Sequence, residues 1–543
     1  MTEPGADVGE ATADPAARRA RCWAEAHRDD LAAVGIWAVA RLVLVVGLGL
    51  RMDDRFLWFG PQMPDLTLLQ DRLAETLWYL HTQPPLYAGF VGLALKLSPL
   101  STAGTFLVTN LAMGAALAVV LGRLFRLLGL GRPATFVALA LVVTNPALVA
   151  IELIASYDQP TILLLAALAL KTGRYVASGS ARDLAWVASL ATAAALTRTI
   201  FHPVWLALVL AGVLVLRHPR AEPRRVAALV GAPLLLVLAL VAKNAVLFDV
   251  TGLTSFAGPS ISKIAGAAAS DEEVAELQRD GTVSPIFGRP VFWGYDTYAD
   301  GVEPCHRTRP EVPVLAEVVR RYGGYPNMAD ECMLEVYRVQ GADGIAYAKA
   351  HPGRFAAAQL EGAQMLFEPA LPIVFTENAE ELRGLQTAYR WTPLYAQVQL
   401  DPVATTEFGR LRVLDHGGIE LVPAMLLATL AAVAIGAARI RPARAPATAS
   451  AAATDERGTA RGPRSGLTCA WVTVVGAALE INENARYRLL IEPFLLATVV
   501  LGAQEAIRWG GGGGRPQEGG STGRARVQAW AEGPSARRCR RRA

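Results

Sequence analysis

The chain is organised around the sequence Tyr79-Leu80-His81-Thr82-Gln83-Pro84-Pro85-Leu86. It lies inside segment 52–99, which follows the first long apolar segment. Segment 52–99 has four aspartates and three early aromatic residues: Asp53, Asp54, Asp65, Asp71, Phe56, Trp58 and Phe59. A polar, acidic and aromatic loop at a membrane edge is a place where a membrane enzyme can hold a general base. Segment 52–99 is therefore the first candidate for a functional site.

The composition excludes an ordinary soluble protein. Of the 543 residues, 52% are hydrophobic and only 18% are charged, and the mean hydropathy is +0.30. These values are typical of a polytopic membrane protein with soluble parts. A span needs about 20 apolar residues. The candidate spans are 31–50, 104–122, 134–152, 159–172, 183–200, 201–216, 226–247, 418–438, 467–482 and 488–507.

Basic residues predict the topology of these spans. They are concentrated around 18–28, 123–132, 171–182, 217–225 and 439–464, and in the tail at 537–542. Short basic connectors stay in the cytoplasm, so these segments are predicted to lie inside. The first 30 residues have no apolar signal-peptide core, and the first span is therefore predicted to be a retained anchor. The basic tail is interpreted as contacting anionic lipid, and no nucleic-acid partner is expected.

Residues 85–97 are apolar but too few to cross a bilayer. Counting them as a span would place the later basic connectors outside. We therefore predict a helix at the outer membrane surface, and outer loops at 51–103, 153–158 and 249–417. Within the first of these loops, leucines recur at helical spacing through 64–80, which predicts a second interfacial helix.

The expected fold is all-α: a bundle of about ten transmembrane helices, multi-pass in the cell membrane. The predicted parts are a cytoplasmic segment 1–30, a transmembrane module 31–248, a mostly helical extracytoplasmic domain 249–417, C-terminal transmembrane helices 418–507 with a cytoplasmic linker 439–466, and a disordered basic tail 508–543. Cys305 and Cys332 share the large outer loop, but their spacing does not decide whether they form a disulfide. No C-x-x-C pair or ligand cluster predicts a metal site.

Ionisable residues form four patches on the predicted outer side. They are Asp53, Asp54 and His81; Ser156-Tyr157-Asp158-Gln159-Pro160; Lys243-Asn244; and Glu480-Ile481-Asn482-Glu483-Asn484-Ala485-Arg486-Tyr487-Arg488. Such groups are costly at membrane depth and usually face a cavity or a partner, so we expect the patches to converge on one outer cavity. For the same reason Arg41, inside the first span, is expected to pair or to line a cavity.

Several of these residues belong to motifs that occur in a fixed order. Asp53-Asp54 follows the first span, the His81–Leu86 sequence opens a short apolar helix that ends at Lys96-Leu97-Ser98-Pro99, and an acidic turn follows at Tyr157-Asp158-Gln159-Pro160. The late segment is Glu483-Asn484-Ala485-Arg486-Tyr487-Arg488-Leu489-Leu490-Ile491-Glu492-Pro493. In these motifs the chain resembles GT-C superfamily glycosyltransferases of the protein O-mannosyltransferase and aminoarabinose-transferase type. The resemblance covers mainly residues 31–250 and 467–505.

The resemblance implies a membrane glycosyltransferase whose active site faces away from the cytoplasm. Its donor would be a sugar on a polyprenyl-phosphate carrier, and its acceptor a hydroxyl group of a glycan, lipid or protein. Transfer would invert the configuration at the sugar carbon, with an aspartate as general base. Because such a donor has no diphosphate to neutralise, neither a metal nor another cofactor is required.

The resemblance also implies roles for individual residues. The catalytic residues it implies are Asp54, Asp53 and Asp158. The substrate-binding residues it implies are His81, Lys243, Glu483, Arg486, Tyr487 and Arg488, with His81 ordering the first loop and the lysine and arginines holding the lipid phosphate. The family often has Asp-Glu where this chain has Asp-Asp. The choice of base therefore stays open: Asp54 first, then Asp53, with Asp65 in reserve.

Two other functions are compatible with a polytopic sequence. A transporter or flippase of a lipid-linked glycan would require charged residues at mid-membrane and an internal repeat. The chain has no repeat, and Arg41 is its main mid-span charge. A non-catalytic membrane scaffold would leave the ionisable residues on one face without a role.

Overall fold

The computed structural model describes residues 27–217, 222–365 and 377–389, together with Glu25, Tyr487, 490–494, Leu496, Val500 and Gln504. Within these residues the chain forms helices and isolated bridge contacts, without a regular strand. The all-α prediction is confirmed for this part of the chain.

The helices up to residue 248 include a short group between the first two apolar segments. They are α1 (Arg28–Arg41, continued by a π-helical turn Leu42–Val46), α2 (Arg55–Phe59), α3 (Leu66–Asp71), α4 (Leu73–Tyr79), α5 (Pro85–Leu97), α6 (Thr102–Leu128), α7 (Arg132–Val143), α8 (Pro146–Glu152), α9 (Asp158–Ser178), α10 (Ala181–Thr197), α11 (Pro203–Leu216) and α12 (Pro223–Phe248). The later helices are α13 (Ala257–Ala268), α14 (Asp271–Arg279), α15 (Pro313–Ala316), α16 (Met333–Ala350), α17 (Pro352–Met365) and α18 (Ala379–Tyr389).

The apolar segments predicted up to residue 247 all lie on helices. Among the described residues, α6, α9 and α12 are long and apolar enough to cross a membrane, and the bent pair α7–α8 makes a fourth if it is one span. The helices α1, α10 and α11 are shorter, with 14, 17 and 14 residues. The predicted spans 418–438 and 467–482 lie outside the described residues.

The segment predicted as one span at 134–152 is instead two helices, α7 and α8, bent by 63°. Pro146 lacks an N–H group and cannot continue the preceding helix. Asn145 caps the new helix, since its side-chain oxygen accepts from the N–H of Ala147 at 3.0 Å and of Leu148 at 3.4 Å. The break directs α8 towards the end of the bundle where the acidic residues of the first loop lie.

Basic connectors predicted to share one side lie together at the other end of the bundle. Arg123 donates to Asp30 at 2.8 Å, and Arg132 pairs with Asp29 in the same turn of α1. At the ends of α9 and α11, the Tyr175 hydroxyl donates to the carbonyl of Arg217 at 2.9 Å. Arg123 and Arg132 thus contact the start of α1, and the ends of α9 and α11 contact each other. These contacts are compatible with connectors that share one side.

One helix is covered very little by the rest of the described chain. In α12 the buried residues are Val237, Asn244 and Phe248, whereas Leu235, Leu236 and Leu238 are exposed and Val246 is 83% exposed. An apolar surface of this size is unfavourable in water and typical of contact with lipid or another chain segment.

A buried ion pair joins α1 to α8. The Arg41 guanidinium donates to both Glu152 oxygens, from Nε to Oε1 at 2.7 Å and from Nη2 to Oε2 at 2.9 Å. Arg41 also donates to the Val143 carbonyl, and the Trp37 indole donates to Oε1 at 3.2 Å. Gly114 of α6 leaves the space for this pair, because a Cβ there would lie 2.5 Å from Oε2. Arg41 is therefore paired, as expected for a charge inside the first span.

The predicted helix at 64–80 is instead two short helices, α3 and α4, that break at Arg72 (φ −128°, ψ 43°). The carbonyl of Leu68 accepts from the N–H of Arg72 at 2.8 Å and also from the Thr76 hydroxyl at 3.2 Å, which ties α4 to the end of α3. Helix α5 packs closely against this pair: a Cβ on Gly92 would lie 2.9 Å from the carbonyl oxygen of Leu69. The apolar helix predicted at 85–97 is confirmed with the same limits.

The described part of the predicted outer domain is largely helical. Helices α13 and α16 touch through glycines, since a Cβ on Gly258 would lie 2.0 Å from the carbonyl oxygen of Tyr337. Cys305 and Cys332 form a disulfide with their Cα atoms 5.4 Å apart, which resolves the alternative that their spacing leaves open. The later helix α18 packs separately against α8, and its Leu382 is buried in the main core.

The Arg41–Glu152 pair predicts a specific pattern of stability. Replacing Arg41 by Met leaves Glu152 buried without its cation, which costs about 3–5 kcal/mol in such pairs. We expect a clear fall in the thermal unfolding midpoint of the purified protein in detergent. The double variant Arg41→Met/Glu152→Met removes both charges and should recover most of the loss.

The control for this experiment is Arg72→Met. Arg72 pairs with Glu75 on the surface of the first loop, where such pairs contribute about 0–1 kcal/mol. The thermal unfolding midpoint of Arg72→Met should stay near that of the wild type. An Arg41→Met variant as stable as Arg72→Met would contradict a stabilising role for the buried pair.

Candidate functional site

The first loop and the acidic turn are joined by backbone hydrogen bonds. The N–H of Asp53 donates to the Leu153 carbonyl at 2.8 Å, and the N–H of Ala155 donates to the Asp53 carbonyl at 2.9 Å. Asn110 of α6 braces the same turn, because its amide donates to the carbonyls of Glu152 and Ile154, both at 3.0 Å. Two of the four predicted patches therefore meet where α8 ends and α9 begins.

Asp53 is fully enclosed and its charge is neutralised. The Arg55 guanidinium donates to both carboxylate oxygens, at 3.0 Å from Nε and 2.7 Å from Nη2. The backbone N–H groups of Arg55 and Glu377 donate to the same carboxylate at 3.1 and 2.9 Å. Both oxygens of the Asp53 carboxylate are therefore occupied by donors.

Asp54 has a different environment from its neighbour. It is half-buried at the N-cap of α2 and forms no salt bridge with a described residue. Burial raises the pKa of its carboxyl group, and the nearby charge of Asp53 adds to this effect, while a hydrogen bond with the Trp58 side chain opposes it. A raised pKa makes the Asp54 carboxylate a stronger proton acceptor than an ordinary aspartate.

Asp65, the reserve candidate for the base, has a structural role. Its carboxylate accepts from the N–H groups of Thr67 at 2.8 Å and Leu68 at 3.2 Å, and so caps α3. The N–H of Tyr322, from the outer domain, donates to its other oxygen at 2.9 Å. Asp65 is buried among these donors.

Asp158 begins α9 and pairs with Arg198, which follows the last residue of α10. Both side chains are buried. The Ser156 hydroxyl donates to the second Asp158 oxygen at 3.2 Å. The Arg198 guanidinium lies 4.5 Å from the ring centre of Tyr157 and 5.0 Å from that of Tyr487. The acidic turn and the late segment therefore meet at Arg198.

Arg198 is a site residue that the sequence prediction missed. It lies between two apolar segments, 183–200 and 201–216, in the sequence Thr197-Arg198-Thr199. The signal that could have identified it is a single arginine at the end of a predicted span, because a charge at that depth usually has a partner or a ligand.

His81 braces the first loop. Its Nε2 is 3.1 Å from the Ala329 carbonyl and its Nδ1 is 2.9 Å from the Ser255 hydroxyl, so the ring donates to the first and accepts from the second. The Thr254 hydroxyl donates to the Thr82 carbonyl at 2.6 Å in the same contact. Burial lowers the pKa of His81 to about 4. These contacts favour the loop-ordering role over contact with a substrate.

Lys243 also contacts the first loop from the end of α12. Its ammonium group donates to the carbonyls of Trp78 at 2.9 Å and Leu80 at 3.0 Å, where α4 ends. Cations at a helix C-terminus stabilise the unpaired carbonyls there. Two of its three N–H groups are thus engaged with the backbone.

The late segment is described only in part. Tyr487 contacts Arg198, and Leu490 and Ile491 are buried in the main core. At the opposite end of the bundle, the Gln504 side chain accepts from the N–H of Gly131 at 2.7 Å. Glu483, Arg486 and Arg488 lie outside the described residues.

Three aspartates thus lie along one connected region but differ in what they can do. Asp53 and Asp158 are held in ion pairs with Arg55 and Arg198, and Asp54 is left as the carboxylate able to accept a proton. No group of three or more His, Cys, Asp or Glu side chains in the described ranges could hold a metal ion. In this arrangement Asp54 is the candidate for proton abstraction.

No family model, curated protein or solved structure matches this chain. The functional proposal therefore depends on the sequence motifs and on the contacts described above.

The buried His81 predicts a pH dependence of stability. Its pKa is about 4 in the folded protein and 6.5 in an unfolded chain, so the unfolded state binds the proton first as the pH falls. Stability from this group is complete above pH 6.5 and is lost as the pH falls towards 4, by about 3 kcal/mol in total. We expect the unfolding midpoint to fall over this interval.

The variant His81→Gln should reduce this pH dependence, because glutamine keeps a donor for the Ala329 carbonyl but does not titrate there. His306→Gln is the control, since His306 is exposed. An unchanged slope in His81→Gln would show that other groups cause the loss of stability in acid.

Proposed function

We propose that this protein is a multi-pass membrane glycosyltransferase. It would move a sugar from a polyprenyl-phosphate donor to an acceptor hydroxyl on the extracytoplasmic face. The observation that supports this proposal best is the contrast between the adjacent aspartates. Asp53 is neutralised by Arg55, whereas Asp54 has no salt bridge with a described residue and has a raised pKa.

The chemistry follows from this contrast. The acceptor hydroxyl gives its proton to the Asp54 carboxylate while its oxygen attacks the anomeric carbon of the donor sugar. The bond from that carbon to the phosphate oxygen breaks, and polyprenyl phosphate leaves with the bonding electrons. Attack on the face opposite the leaving group inverts the configuration. Because the leaving group has a single phosphate, the reaction does not require a metal ion.

Three observations support the membrane setting. The long apolar helices α6, α9 and α12 suit a bilayer, and the basic connectors lie at the end of the bundle opposite Asp54. The Cys305–Cys332 disulfide is typical of an oxidising compartment and supports an extracytoplasmic location for the outer domain. A bundle of about ten spans is part of this proposal.

Transport is less well supported. The charge that transport would require at mid-span, Arg41, is already bound by Glu152 and the Val143 carbonyl. Breaking this pair in every cycle would expose two buried charges, which is costly.

The first test is the variant Asp54→Asn, assayed in membranes with a panel of polyprenyl-phosphate sugars. Asparagine keeps the size of the side chain but cannot accept the proton, so we expect transfer to fall about 10²–10⁴-fold. Asp71→Asn, in the exposed part of the same loop, is the matched control and should keep full activity. Both variants should unfold near the wild-type temperature.

Full transfer by Asp54→Asn would contradict the assignment of the base. The absence of transfer from every donor in the panel, by a folded wild-type protein, would contradict the proposed function itself.

The raised pKa of Asp54 gives a second test. A general base must be deprotonated to act, so kcat/KM should rise with pH through the folded pKa. We expect the midpoint of this acid limb to lie above 3.8, the ordinary value for aspartate. The Asp71→Asn control should have the same midpoint. A midpoint at or below 3.8 would indicate that a different group is titrating.

A further inference from the structure

Arg198 is buried, and among the described residues Asp158 accepts from only one of its nitrogens. Its side chain is 7% exposed, and its Nη1 contacts one oxygen of Asp158. Within the described ranges, its Nε and Nη2 make no hydrogen bond. A guanidinium has five N–H donors and no acceptor. The Nε and Nη2 donors are therefore available to a ligand that supplies acceptors.

Gln159 presents a second unused donor at the same helix end. It is 2% exposed, and its Nε2 has no hydrogen-bond partner in the described part of the chain. Gln159 follows Asp158, so both side chains project from the first turn of α9, a helix of 21 residues. The N-terminus of a helix of this length favours an anion.

The surroundings of Arg198 are aromatic as well as charged. The rings of Tyr157 and Tyr487 lie against its guanidinium at 4.5 and 5.0 Å. They exclude water and hold the guanidinium in place, while Asp158 fixes it from a third direction. A ligand that binds here meets a cation whose position is already set, which strengthens recognition of an oxyanion.

We infer that Arg198 and Gln159 bind a phosphate group at the N-terminus of α9. This inference rests on the proposed function, in which the phosphate belongs to the polyprenyl donor. The leaving phosphate gains negative charge as the sugar departs, and Arg198 stabilises that charge. It also changes the assignment made from the sequence, because Lys243 is occupied by two backbone carbonyls.

The test measures binding of two probes to the purified protein in detergent: undecaprenyl phosphate and inorganic phosphate. Arg198→Lys keeps the charge but loses the planar fork of donors, and we expect binding to weaken about 10- to 100-fold. Gln159→Met removes an amide donor that has no described partner, so the protein should unfold at or above the wild-type temperature while binding weakens several-fold. Weaker binding without a lower unfolding temperature would show that the variant affects the ligand site and not the stability of the fold.

Gln340→Met is the matched control. Gln340 is also a buried glutamine with an unpartnered amide atom among the described residues, but it lies on α16 in the outer domain. The affinity of the Gln340→Met variant for both probes should equal that of the wild type. Equal affinity in Gln159→Met and Arg198→Lys as well would overturn the inference, as would a wild-type protein that binds neither probe.

The two probes distinguish the source of the phosphate. Binding of undecaprenyl phosphate alone supports a lipid headgroup, and Arg198-dependent binding of inorganic phosphate supports a site for free phosphate. Sugar transfer by the wild type with no effect of either variant would keep the proposed function and reject the inference. Arg198-dependent binding of phosphate without sugar transfer would support the inference and contradict the proposed function.

Discussion

Glu152 is the residue on which the position of the site depends. Its carboxylate is bound by Arg41 and Trp37 of α1, and its backbone carbonyl accepts from Asn110 of α6. A carboxylate buried in this way is tolerated only with partners of this kind. Because Glu152 ends α8, its pairing also fixes the residues that follow, which hydrogen-bond to Asp53 on both sides. The Arg41–Glu152 pair thus fixes the position of the Asp53 segment along the bundle.

The three aspartates of the candidate site, Asp53, Asp54 and Asp158, differ in their partners. Arg55 holds Asp53, and Arg198 holds Asp158, so both carboxylates are engaged in ion pairs. Burial raises the pKa of Asp54, and the charge of Asp53 adds to this effect. Two adjacent aspartates therefore have different environments: one is held in an ion pair and the other has a raised pKa.

The sequence predicts those parts of the structure that local signals decide. Helix α5 begins at Pro85 and ends before Ser98-Pro99, where proline chemistry sets both limits. The break at Arg72 was not predictable, because the leucine spacing continues across it and the close approach of Gly92 is a tertiary contact. The docking of Asn378 on the backbone of Arg51, 327 residues earlier, has no local signal at all.

Residues of the predicted outer domain also contact the first loop beside Asp54. Arg320, almost fully buried, donates to the carbonyls of Trp58 at 3.0 Å and Pro61 at 3.3 Å. Burial lowers the pKa of Arg320 to about 10, so it is still a cation at neutral pH. Gly323, with a positive φ of 83°, lets the chain pass close to the Trp58 ring, where a Cβ would lie 3.0 Å from it. The outer domain thus packs on Trp58, whose side chain hydrogen-bonds to Asp54 and lowers its pKa, while burial of Asp54 has the larger, opposite effect.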